Sequence, residues 1–264
     1  MGRQSHALVI PFPAQGHVAP LMKLSLQIAA HGVKVTFVNT DFIHEKVLVS
    51  LSGKSEEHND PISLVSLPDG LELEDDRTDF VKLLESIRRT MPGRFEDLIL
   101  KINQSNEKIT CVIADTSVGW GLEVAKKVGI EAVAVWPAGG PCLALALHVP
   151  QLLEAKITDY DGTMMKDEPI SVSNDVLAWN SSEIGWGSSD PVMQKIGLEL
   201  AKDGNGIVTR HEVSAKIDAL LSSDVIKGNS LHVKDLARKS FDDGGSSFRN
   251  FNNFIEHIKS KSRV

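Results

Sequence analysis

His17 and Asp115 are side chains of the kinds that together activate a hydroxyl group. A neutral imidazole can take a proton near physiological pH, and a carboxylate beside it holds the ring's tautomer and stabilises the cation that forms. His17 sits in Pro11-Phe12-Pro13-Ala14-Gln15-Gly16-His17-Val18-Ala19-Pro20, and Asp115 closes Val112-Ile113-Ala114-Asp115. Each also has a plainer reading. His17 could be an exposed loop residue or a cap on its own helix, and Asp is a common helix N-cap. The pair does chemistry only if the fold brings the two together.

The flanking elements say where each must lie. His6 to Ile10 is a continuous apolar run closed by Pro11 and Pro13, which predicts a buried parallel strand. Leu21, Leu24, Leu26, Ile28 and Ala29 recur at helical spacing, with Pro20 suited to a first turn and Gly32 to a stop. Val33 to Val38 is the next strand, so His17 falls at a strand's carboxyl end, against the positive end of a helix that disfavours imidazolium. Phe42 to Leu51 predicts a short helix, Ser52 to Asp60 a surface loop, Pro61 to Leu67 a strand and Pro68-Asp69-Gly70 a turn. The acidic run Leu71 to Asp79 is either a solvated loop or an acidic binding patch.

Phe80 to Asn103 has helical periodicity that Met91-Pro92-Gly93 should split into two helices or kink. Next come a strand over Ile109 to Ala114, a helix over Val118 to Val128, a strand over Ile130 to Trp136 and an apolar helix over Cys142 to Leu153. This alternation predicts an α/β fold: a Rossmann-like parallel sheet with helices on both faces. Asp115 then lies at the same sheet edge as His17.

With 264 residues, 42% of them hydrophobic, the chain can bury a sizeable core. A net charge of −7 without a basic stripe argues against nucleic acid as partner. No apolar run reaches the ~18 residues of a membrane span, and the N-terminus has no signal-peptide pattern, so a cytoplasmic location is expected. Cys111 and Cys142 lack ligand spacing and are expected to be small buried hydrophobes of a reducing compartment. Asn103-Gln104-Ser105 and Asn180-Ser181-Ser182 match the glycosylation triplet but carry no weight without secretion.

Several rival chemistries lack their residues. A dinucleotide site needs Gly-x-Gly-x-x-Gly after the first strand. Only Gly16 is present there, although Asp41 stands near the ribose-binding position. No Gly-x-Ser-x-Gly elbow, phosphate-binding P-loop or His-Glu-x-x-His helix occurs. Asp203, Asn205, Gly206 and Glu212 fall at calcium-loop positions, but the first ligand position holds Ala201. Thr209 and Glu212 instead form a capping box, and Gly244 to Ser247 is a helix-helix turn rather than a phosphate loop.

The stretch Pro11 to Leu21 resembles the N-terminal signature of the plant-type UDP-dependent glycosyltransferases that glycosylate small molecules. Val35-Thr36-Phe37-Val38-Asn39-Thr40, Leu67-Pro68-Asp69-Gly70-Leu71 and Val112-Ile113-Ala114-Asp115 are similar to later landmarks of the same half. The resemblance implies a GT-B architecture in which His17 is the general base for an acceptor hydroxyl and Asp115 its partner. Attack on a UDP-sugar would invert the anomeric carbon, with neither metal nor cofactor. It also implies an acceptor pocket near Gly16, Trp136, Pro137 and Ala138, although Trp136 equally suits the core.

The sequence departs from the family after that half. The Trp-Cys, His-Cys-Gly-Trp-Asn-Ser and Asp-Gln strings of the donor box do not occur, and Trp120, Trp136, Trp179 and Trp186 all precede its place. The stretch beyond Lys195 resembles the end of the family's C-terminal domain, with helices over Arg210 to Leu221, Leu231 to Phe241 and Phe248 to Ile258. The expected organisation is therefore an acceptor-binding domain over residues 1–195, joined near Gln194 to Gly197 to a helical remnant over residues 196–264. That makes an incomplete GT-B architecture, as an internal deletion or mis-splicing would leave. One functional reading is a transferase by descent that binds a hydroxylated small molecule and has lost its usual UDP-sugar site. Another is a non-catalytic binding module that self-associates through tail faces built from Ile217, Leu220, Leu221, Leu236, Phe251, Phe254 and Ile255. A third, an unrelated hydrolase, lacks a nucleophile.

Overall fold

The computed structural model describes residues 4–51, 62–171, 178, 198 and 200–260. The expected loop at 52–60, Trp179, Trp186 and the expected junction at 194–197 lie outside them. Five strands, β1 (His6–Ile10), β2 (Lys34–Thr40), β3 (Ile62–Leu67), β4 (Cys111–Asp115) and β5 (Glu131–Val135), form one parallel sheet in the order β3-β2-β1-β4-β5. The helices are α1 (Gln15–Ala30), α2 (Asp41–Leu51), α3 (Phe80–Asn103), α4 (Trp120–Lys127), α5 (Gly140–Glu154), α6 (Arg210–Ser222), α7 (Asp224–Phe241) and α8 (Ser246–Ser260). Two compact units emerge: Met1–Pro137 with Asn250–Val264, and Ala138–Arg249.

In the first unit successive strand residues point to opposite faces, and both faces are covered. Leu8 and Ile10 of β1, with Val112 and Ala114 of β4, pack on α3 and α4 through Ile87, Met91, Phe95 and Val124. Ala7 and Val9, with Val35, Phe37 and Ile113, pack on the opposite side against Val18, Leu21 and Ile28 of α1 and against Ile255 and Ile258 of α8. The last helix therefore completes the core of a sheet formed by the first half of the chain. Phe251, Phe254 and Ile255, expected as exposed tail surface, are instead covered or partly covered, because the face of β1 and β2 left open beside α1 gives them a more favourable apolar contact than water. Ile258 is fully buried, so Ile258→Ala should cost about 2–5 kcal/mol, read as a lower urea midpoint.

Several expectations change. α1 starts at Gln15, so Pro20 lies inside it rather than in its first turn. α3 is one helix, not two, despite Pro92. Its buried stripe of Leu83, Ile87, Met91, Phe95 and Ile99 runs across the proline and holds both halves on the sheet. Cys111 is buried as expected, but Cys142 is exposed in the first turns of α5.

In the second unit α5 packs Leu152 against Ile170, with Leu145, Ile157 and Met164 around them. Thr209 caps α6 by accepting the Glu212 N–H at 3.1 Å. The Glu212 carboxylate does not return to Thr209 but accepts the Ala201 N–H at 2.9 Å. Asp203 Oδ1 accepts the N–H groups of Asn205 and Ile207 at 2.9 and 3.0 Å, so the calcium-loop positions are used to fold the turn itself. Ile217, Leu220, Leu221 and Leu236 are exposed.

Candidate active site

β1 ends at Ile10, Pro11 to Pro13 lead the chain off the sheet, and α1 begins two residues before His17. The backbone N–H groups of His17 and Val18 both donate to the Ala14 carbonyl at 2.9 Å, fixing His17 in the first turn. β4 lies beside β1, with Ala114 opposite Ile10, so Asp115 is the next residue at the carboxyl edge. The strand order reverses direction between β1 and β4, which is where a doubly wound sheet opens a crevice for ligands.

His17 Nδ1 and Asp115 Oδ2 are 2.7 Å apart. The Asp115 side chain is fully buried, while that of His17 is 28% exposed. The other carboxylate oxygen, Oδ1, accepts the Ser117 N–H at 2.8 Å and caps a short 3₁₀ turn over Thr116–Val118. Asp115 thus caps a turn with one oxygen and meets the His17 ring with the other. An ionised carboxylate can only accept, so the hydrogen is assigned to Nδ1 and the lone pair to Nε2. Among the described residues Nε2 makes no hydrogen bond. The Phe12 ring meets the imidazole edge-on at a centroid distance of 5.2 Å, which restricts its rotation. The arrangement leaves one imidazole nitrogen, Nε2, turned away from the carboxylate.

The other expected site residues are more scattered. Gly16 is exposed in the first turn of α1, with open space where a Cβ would stand. Trp136 and Pro137 are half-buried just past β5, and the Trp136 Nε1 is buried without a partner among the described residues. Ala138 begins the second unit.

A cavity of about 910 Å³ lies elsewhere in the first unit, between α1, α2 and the segment 75–83. None of Gly16, His17, Trp136, Pro137 and Ala138 lines it, whereas Phe12 does. The acidic run that forms its outer wall is mostly exposed, as a solvated loop is, but it is pinned in place. Arg77 ties it down: Nε donates to Asp69 Oδ2 at 2.8 Å and Nη2 to Asp69 Oδ1 at 3.2 Å, while Nη1 donates to the Glu72 carbonyl at 3.0 Å. The Asp69 carboxylate holds the guanidinium above its ordinary pKa. Lys82 donates to Asp75 at 2.6 Å and holds that carboxyl below the usual range. At the root of this strap Gly70 has φ +81°, and a Cβ there would stand 2.2 Å from Thr90 Oγ1 and 2.9 Å from Ser86 Oγ. Gly70→Ala should therefore destabilise by about 1–3 kcal/mol from backbone strain, before the clash is added, and lower the thermal midpoint. The sequence signal for the strap was an arginine set among acids directly after a Pro-Asp-Gly turn.

The chain is similar to known proteins. The family described as glycosyltransferase, N-terminal domain, matches residues 5–68. UDP-glycosyltransferase 83A1 of Arabidopsis thaliana is 38% identical over 192 residues, covering 70% of this chain and 41% of the relative. The chain belongs to the UDP-glycosyltransferase family. UDP-glycosyltransferase 85A5 of the same plant is 27% identical over 243 residues, 90% of this chain and 45% of the relative. The chain thus spans less than half the length of these curated relatives. Among solved structures, Os79 of O. sativa aligns with a TM-score of 0.66 at 13% identity, over 96% of this chain and 100% of that one. A UDP-glucosyltransferase from Polygonum tinctorium aligns at 0.54 and 17%, over 69% and 40%. Both share the Rossmann-like fold. Among the described residues no helix is long and apolar enough to cross a membrane, and no group of three or more His, Cys, Asp and Glu side chains could hold a metal ion.

Proposed function

We propose that the chain carries the acceptor half of a UDP-sugar-dependent transferase acting on the hydroxyl group of a small molecule. The observation that carries this reading is the 2.7 Å contact between His17 Nδ1 and the buried Asp115 carboxylate at the sheet's switch point. In the reaction, Nε2 of His17 takes the acceptor's hydroxyl proton while the oxygen attacks the anomeric carbon from the face opposite the UDP. The new C–O bond forms as the bond to UDP breaks, which inverts that carbon. Asp115 keeps the hydrogen on Nδ1 and stabilises the imidazolium as charge develops. Residues 1–195 form the acceptor domain, with Gly16, Trp136, Pro137 and Ala138 along its wall, and residues 196–264 are a remnant of the donor domain.

The donor box strings are missing from the sequence, so binding of the acceptor is retained and binding of UDP-sugar is weak. The chain works in the cytoplasm. Calorimetric titration with UDP, UDP-glucose and a small flavonoid panel tests both halves of this reading. Heat from a hydroxylated acceptor and none from UDP is expected, and turnover at a complete enzyme's rate would refute the loss of the donor site. A non-catalytic binding module is favoured by a different observation, the exposed apolar residues Ile217, Leu221 and Leu236 on α6 and α7. On that reading the chain self-associates through these helices, and a clean monomer on size-exclusion chromatography speaks against it.

A further inference from the structure

The 910 Å³ cavity is built by a stripe of α1 that excludes the proposed base. Gln15, Val18, Ala19 and Met22 line it, and these positions match the i, i+3, i+4, i+7 pattern of one helix face. His17 is two residues from Gln15, and positions two apart on a helix do not share a face. It turns instead toward β4 and Asp115. Phe12 is the partition: its ring lines the cavity and meets the imidazole edge-on.

The opposite wall is equally well defined. Phe42 and Val47 of α2 face the cavity, and the Phe42 ring carries the Lys46 ammonium at 4.0 Å and the Arg77 guanidinium at 4.6 Å, which ties α2 to the strap. The strap is anchored by Arg77 on Asp69 and by Lys82 on Asp75, so the space does not depend on a ligand to hold it open. Phe80 stands at its edge 53% exposed, packed on Phe12 with ring centroids 5.1 Å apart. A preformed, mainly apolar space of several hundred cubic ångströms with aromatic walls is how small-molecule sites are built. The lining holds two acids, Asp75 and Asp76, and two bases, Lys46 and Arg77, so its formal charge cancels and favours an uncharged ligand.

We propose that this cavity is a second small-molecule site, separate from the His17–Asp115 pair, that takes a neutral, ring-bearing apolar compound. The site stands whether or not the chain transfers a sugar. Titration of the full chain with the neutral fluorophore N-phenyl-1-naphthylamine tests it, with the anionic 1-anilinonaphthalene-8-sulfonate as the comparison. Saturable binding at one site per chain is expected, weakened about tenfold or more, ~1.4 kcal/mol, in Ala19→Trp and independently in Val47→Trp, which fill the space from opposite walls. His17→Ala should leave the affinity unchanged. Non-saturable binding, or affinity that neither tryptophan alters, places the probe elsewhere and overturns the site. Loss of binding in His17→Ala overturns its separateness, since the cavity would then be part of the acceptor pocket. Tighter binding of the anionic dye overturns the assigned ligand charge.

Discussion

His17→Ala, made in residues 1–195 joined to the complete C-terminal domain of a plant relative, is expected to lower kcat for sugar transfer by about 10²–10⁴-fold. The KM for the acceptor should change little, because the imidazole acts on the proton rather than on the body of the substrate. UDP release measures both parameters. Asp115→Asn is expected to fall in the same range for a different reason. An amide can present its NH₂ to the ring, move the imidazole hydrogen to Nε2 and abolish the lone pair that faces the acceptor, while the carboxylate charge that stabilises imidazolium is also lost. The Ser117 N–H would keep an acceptor if the amide oxygen replaces Oδ1, so the fold should survive. The double variant should be no slower than the worse single one, since base and partner act as a unit. Unaltered kcat in His17→Ala would end the mechanism.

Asp69→Ala is expected to destabilise the folded chain by about 3–5 kcal/mol, read from urea unfolding. The Arg77 side chain is 11% exposed and that of Asp69 6%, so removing the carboxylate strands a nearly buried guanidinium. Leu71 N–H, which donates to Asp69 Oδ1 at 2.9 Å, loses its acceptor as well. Arg77→Met leaves a buried carboxylate instead, and the double change Asp69→Ala with Arg77→Met should recover part of the loss because no unpaired charge remains. The outer pair of the strap answers to pH. Asp75 is held below its ordinary value chiefly by the Lys82 hydrogen bond, so its contribution is present above the unfolded carboxylate pKa and fades as pH falls through the lowered one. A urea midpoint for Asp69→Ala equal to that of the parent would show that the strap does not depend on this pair.

Much of the fold was legible because a buried parallel strand leaves a continuous apolar run and proline or glycine marks its end. β1 falls where the run His6 to Ile10 predicts it, and β4 and β5 lie within two residues of the ends of the runs Ile109 to Ala114 and Ile130 to Trp136. Pro92 misled because local propensity treats a proline as a helix breaker, whereas the buried stripe from Leu83 to Ile99 is a tertiary effect. Cys142 misled because burial was inferred from residue type alone. The apolar faces of the tail split: those of α6 and α7 remain exposed, while α8 finds the sheet. Periodicity identifies an apolar face but does not say what lies against it.

The order of residues along the chain was enough to put His17 and Asp115 at carboxyl ends of strands in one parallel sheet, since parallel strands joined by helical crossovers all end at the same edge. Long-range assembly was needed to make β1 and β4 neighbours, which turns a shared edge into a 2.7 Å contact. It was needed too for one Asp115 oxygen to cap a turn while the other meets the His17 ring. The cavity beyond Phe12 and the docking of Ile255 and Ile258 belong to the same level. Such features depend on strand order and on which apolar surfaces meet, and these are settled by packing between distant segments that no local pattern of residues records.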